Sequence, residues 1–127
     1  MASEQEQICI TVKAEADLST KQYRLMQMTN AGYGTTCLHS GTQQVMLGIL
    51  QNKPAAYGRA AKICVLGHTK AVAGAAISTL GFIGAGSDGC VAAVATPGHN
   101  MIGQNIQTAA GTGEHIEVLI GLGSRFN

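Results

Sequence analysis

Turn signals recur about every ten residues along this chain, and no stretch between them is long enough for an amphipathic helix. That spacing leaves room for short strands and little else. Ile8–Lys13 alternates, with Ile8, Ile10 and Val12 on one face. Gln22–Met28 reads as a second strand, closed by Thr29-Asn-Ala-Gly32. Further strands are expected at Val45–Leu50, Ala60–Leu66, Thr69–Ala73, Leu80–Ile83, Cys90–Ala95, Met101–Ile106 and His115–Ile120, with Gly67-His68 as a break between two of them. Ala71–Ala76 contains good helix formers, so a short helical turn is the most helix expected there. The predicted fold class is all-β, a small Gly- and Ala-rich barrel or sandwich.

An internal repeat strengthens that reading. Val45–Gly67 lies over Asn100–Leu122 without a gap, matching Met46 to Met101, Gly48 to Gly103, Ala55 to Ala110 and Gly58 to Gly113. Ala61, Ile63 and Val65 then fall on Ile116, Val118 and Ile120, with Lys62 over Glu117 as the outward residue. The alternation keeps phase, and a slip by one residue would turn every side chain over. Each copy predicts a strand, a loop closed by Gly and a second strand, and two copies could close a sheet on itself. The domain expected is residues 8–120, preceded by an arm (1–7) and followed by a tail (121–127).

Composition narrows the function. Only 12% of the 127 residues are charged, about half the usual share for a soluble protein. Much of the exterior must be neutral, which suits a surface that packs against other protein. A formal net charge of +1 provides no electrostatic footprint for nucleic acid, and no basic amphipathic stretch suggests a membrane surface. The acidic, polar start Met1-Ala-Ser-Glu-Gln-Glu-Gln7 does not read as a signal peptide. Cys9, Cys37, Cys64 and Cys90 stand far apart, and are expected as reduced, buried side chains acting as small apolar groups.

Several motifs read better as architecture than as chemistry. Gly84-Ala-Gly86-Ser-Asp-Gly89 has dinucleotide-binding spacing, but a strand is expected after it where a helix is required. Cys37 and His39 share a strand face, yet no second short-spaced ligand pair accompanies them. Ser87, Asp88 and a histidine lack a nucleophile elbow. The expectation is therefore no enzyme, no cofactor and no metal. Tyr57, in the loop Asn52–Gly58, is either part of a satellite core under that loop or an interface anchor. Gln5, Gln7 and Ile8 belong to an arm that could add to a sheet edge on a neighbour, and Arg125 with Phe126 forms an apolar, cationic end.

A set of strings points to a family. These are Leu18-Ser-Thr-Lys-Gln-Tyr-Arg-Leu25, Leu47-Gly-Ile-Leu-Gln-Asn-Lys-Pro-Ala-Ala56, Ala61-Lys-Ile-Cys-Val-Leu-Gly67, Lys70-Ala-Val-Ala-Gly-Ala-Ala-Ile77, Ile102-Gly103 and Ile116-Glu-Val-Leu-Ile120. Their order, over about residues 8 to 120, resembles the capsid decoration (capsid cement) proteins of tailed bacteriophages. The resemblance implies a β-rich, non-catalytic virion protein on the outer capsid surface, made in the host bacterial cytoplasm. Its implied partners are the major capsid protein and two further copies of itself, as a homotrimer, with no nucleic acid or membrane. The chain departs from the family in lacking an acidic turn before Ala75 and in the Thr-, Cys- and His-rich loop Tyr33–Gln44. A head-fibre base or host-surface adhesion module of a phage is the alternative reading, and a small-molecule-binding or enzymatic β-barrel the third.

Overall fold

The computed structural model describes residues 7–36, 45–94 and 99–125, the last four of these in backbone only. Among them nine strands form one mixed sheet: β1 (Gln7–Ala14), β2 (Leu25–Met28), β3 (Tyr33–Thr36), β4 (Gly48–Leu50), β5 (Ala60–Val72), β6 (Phe82–Ala85), β7 (Val91–Ala93), β8 (Asn100–Asn105) and β9 (His115–Arg125). The hydrogen-bonded order is β1-β3-β2-β4-β5-β9-β8-β6-β7, and β5 also pairs with β1. That extra pairing closes the first five strands into a ring. A second ring runs from β5 through β9, β8, β6 and β7. It closes where Ala73 bridges Val91 in parallel and the Gly74 amide donates to the Val91 carbonyl at 2.9 Å. The described residues form two five-stranded rings that share one strand.

Two expectations need correction. Gly67-His68 does not break the chain, because Gly67 adopts φ +122° and pairs with Gln7 on one side and Ile120 on the other. Only a residue without a Cβ takes that conformation readily, so two expected strands become the single long β5. The helical turn lies at Ser87–Gly89, not Ala71–Ala76, because the latter segment continues β5 and then bridges β7. Ile8 and Ile10 are exposed, while Val12 is half-buried. The register of β1 on β5 shifts between Ile8 and Cys9, and Ile10 lines a groove with Met28, Val45 and Val65.

The two rings are copies of one unit over their whole length. Ile49 opposes Cys64 and Leu50 opposes Ile63, as Gln104 opposes Leu119 and Asn105 opposes Val118. The correspondence extends to the other strands. Met26 sits between Gly48 and Thr36 as Ile83 sits between Gly103 and Ala93. Lys13 opposes Ala60 as Val72 opposes His115. Ala14 meets Gly34 in parallel as Ala73 meets Val91. The first unit is thus residues 7–67 and the second 67–125, so β5 ends one and begins the next.

Local chemistry repeats with the register. A Cβ on Gly48 would lie 2.1 Å from the Cys64 carbonyl oxygen, and one on Gly103 would lie 2.0 Å from that of Leu119. Both crossings require bare backbone. Asn52 Oδ1 accepts the Lys62 amide at 2.9 Å, and Gln107 Oε1 accepts the Glu117 amide at the same distance. Gly58 and Gly113 close the two loops at φ +82° and +90°.

The interiors differ in one instructive place. Leu18, Met26, Leu50, Ala61 and Ile63 fill the first ring, and Ile77, Ile83, Ile116 and Val118 take the matching places in the second. Where the first ring has Leu50, the second has buried Asn105. Its amide donates to the Thr79 and Gln107 carbonyls at 3.1 and 2.9 Å and accepts the Gly81 amide at 2.9 Å. A buried amide is tolerated only when so satisfied.

Candidate functional site

The residues singled out from sequence do not converge on one point. Gln7 begins β1, and its side chain is tied inward: it donates to the His68 carbonyl at 3.2 Å and accepts from Cys9 Sγ at 3.1 Å. Ile8 is 59% exposed and opposes Leu66, itself 45% exposed. Tyr57 lies at the far end of the same ring. It is not the core residue that one reading allowed, being 65% exposed and stacked on Tyr33 with ring centroids 4.9 Å apart. Hydrogen bonding with Tyr33, with Glu15 nearby, holds the Tyr57 phenol above its ordinary pKa. Arg125 pairs through its backbone with Asn100. Its side chain, Phe126, Gln5, Cys37 and His39 lie outside the described residues.

The Gly84–Gly89 motif is a hairpin. β6 runs into a single 3-10 turn, Ser87–Gly89, and then into antiparallel β7. Gly89 and Asp88 take positive φ, at +76° and +53°, which is what a tight reversal demands. Asp88 is committed to structure. Its carboxylate accepts from Lys21 Nζ at 2.6 Å, Arg24 Nη1 at 2.9 Å and Thr36 Oγ1 at 3.4 Å. The bond from Lys21, helped by the charge of Arg24, holds its carboxyl below the ordinary range. All three partners belong to the first unit, so this turn locks the second unit onto the first. Tyr23 adds to the seam, its carbonyl accepting the Val72 amide at 3.0 Å and its ring meeting His115 edge-on at 5.7 Å.

Among the described residues apolar grooves open on the surface, one lined by Ile10, Met28, Val45, Met46 and Val65, another by Phe82, Met101, Gln104 and Leu119. Gly121 borders both. Val45 is 84% exposed, and Met28, Phe82 and Leu119 are also open to solvent. Sequence reasoning reached Ile8 but missed Ile10, Met28, Phe82 and Leu119. Alternation identifies which residues share a face, not whether anything covers it. Such grooves suit contact with another protein surface. Among the described residues no group of three His, Cys, Asp or Glu side chains could hold a metal ion, and no helix is long and apolar enough to cross a membrane.

No known family's sequence profile matches the chain, and no curated protein matches it in sequence. Its fold, however, is shared with a solved structure, the N base of the head fiber protein gp8.5 of bacteriophage phi29. The TM-score is 0.65 at 16% sequence identity, covering 91% of this chain and 95% of that one. The likeness runs nearly end to end in both chains, and it is a likeness of fold.

Proposed function

We propose that this chain is a structural protein of a bacteriophage virion, the base on which a head fibre stands at the outer capsid surface. The observation that carries the reading is the end-to-end likeness of fold to a head-fibre base. The physical character of the surface agrees with it. A surface that packs against other protein carries few charges at its centre, and this chain has 12% charged residues and open apolar grooves. No catalytic step, cofactor or metal enters this function. The partner is the major capsid protein, met as an assembled lattice, so binding stabilises the assembled state by mass action.

The decoration or cement role is the second reading, favoured by the same shortage of charge and by the string resemblance. A cement covers the shell, and many weak contacts repeated over it multiply their effect. Copy number separates the two readings. Purified virions of the encoding phage are quantified by gel densitometry against the major capsid protein. A fibre base is expected well below the capsid protein in number, and a cement in a simple ratio to it. Absence from purified virions, or gold-labelled antibody binding at the tail but not the head, would overturn both.

A further inference from the structure

Two of the widely spaced cysteines meet in the fold. Cys9 of β1 and Cys64 of β5 oppose one another in the antiparallel pairing that closes the first ring. Directly opposed residues of such a pair have Cα atoms about 4.5–5.5 Å apart and point their side chains to the same face. That separation falls inside the about 4.4–6.8 Å that a disulfide spans between Cα atoms. The side chains agree with the backbone. Cys9 packs against the apolar cluster to which Cys64 belongs. Burial pushes the Cys64 thiol up to about 11, and the neighbouring Cys9 thiol acts in the same direction.

The architecture does not ask for a thiol pair at this place. By register the second unit sets His68 opposite Leu119 at the equivalent position, and its β5–β9 ladder runs through them unbroken. The two thiols also differ in access. Cys9 is half-buried, and its Sγ–H donates to Gln7 Oε1 at 3.1 Å. Cys64 is fully buried, and its Sγ–H donates to the Leu66 carbonyl at 3.6 Å. A reagent arriving from solvent therefore meets Cys9 first. Cys64 needs no access of its own, because any group carried on the Cys9 sulfur is delivered beside it.

We propose that Cys9 and Cys64 form a thiol–disulfide exchange site, at which a small-molecule disulfide is reduced and the first ring is closed covalently. Cys9 gives up its proton to water and attacks one sulfur of the disulfide, whose other half leaves as a thiolate. Cys64 then gives up its proton and attacks the Cys9 sulfur, expelling the second half as a thiolate. The two cysteines lose two electrons and two protons, and the small molecule takes up the same number to become two thiols. The new bond ties β1 to the strand that both rings share and closes a loop holding almost the whole first unit. It forms where disulfides outweigh thiols in the surrounding solution and reverses where thiols prevail. The inference stands on strand register and holds whether or not the virion reading does.

The test incubates the folded, reduced full chain with oxidised glutathione, quenches with acid, and reads the intact mass and the cysteine-containing peptides. Wild type is expected to yield one peptide pair joined through Cys9 and Cys64, with the loss of two hydrogens. Its urea midpoint is expected to rise by about 1–2 M and to return on reduction. Cys64→Ala is expected to stop with glutathione held on Cys9, since the second attacking thiol is gone, and Cys9→Ser to leave Cys64 free. Far-UV circular dichroism checks the fold, and Cys64→Val replaces the alanine variant should that one unfold. Wild type that retains glutathione on Cys9, or leaves both thiols free, would overturn the proposal. So would peptides that join either residue to Cys37 or Cys90, or a linked protein whose midpoint is unchanged.

Discussion

Replacing Asn105 by Leu tests whether its hydrogen bonds, and not its volume, hold the second ring. The duplication provides the control, since Leu50 occupies the equivalent place in the first ring and Leu is demonstrably compatible with the backbone there. Asn105→Leu removes three hydrogen bonds, to Thr79, Gln107 and Gly81. Each carries a net contribution of about 1 kcal/mol, and more where the partner is left without water. The new side chain returns about 1–2 kcal/mol of apolar burial, offset by about 1 kcal/mol of crowding in a space shaped for an amide. The expected balance is a loss of about 2–3 kcal/mol. Urea unfolding followed by far-UV circular dichroism reads it as a lower midpoint with an unchanged slope. The reciprocal Leu50→Asn places an amide where no such partners are arranged, and is expected to cost about 4 kcal/mol. Asn105→Leu at or above wild-type stability would refute the reasoning, because the amide would then be a tolerated polar residue and not a staple.

Three further outcomes are expected. Asp88 has a folded pKa below its unfolded value, so its contribution is present above about pH 4 and is lost as pH falls through the folded pKa. With its side chain about half exposed, screening limits that contribution to about 1 kcal/mol; Asp88→Asn should cost this much at pH 7 and nothing at pH 2, and an equal cost at both would exclude the charge as the cause. Gly48→Ala and Gly103→Ala should each abolish folding or cost more than about 3 kcal/mol, since the added methyl meets a backbone oxygen, and wild-type melting temperatures would contradict the close strand crossing. Cys64, its thiol pushed up to about 11 by burial, should resist maleimide at pH 8 in the folded protein and react after unfolding; labelling as fast as that of a free thiol would show that the seam opens readily.

The strand pattern was legible because turns and alternation are local. So was the hairpin half of the duplication, where Met46-x-Gly48 and Met101-x-Gly103 share a backbone constraint at a close crossing. The other half was hidden. Met26 and Ile83, or Ala14 and Ala73, do the same work with different or unremarked residues, and the connections leading to β6 and to β8 are each shorter than their counterparts in the first unit. Gly67 misled because a glycine that continues a strand at positive φ reads in sequence like one that ends it. The ion pairs of Asp88 join residues far apart in the chain, beyond any local pattern.

The sharing of β5 has a mechanical meaning. Rings joined by a linker would yield one after the other, and slack in the linker would absorb a pull. Here the strand that completes one ring continues as the first strand of the next, so tension entering at β1 reaches β9 through ladders flanking a single continuous strand. Along β5 those ladders run parallel to the strand, so a pull along its axis must shear many hydrogen bonds together instead of peeling them singly. Separating the rings requires extracting a strand from both.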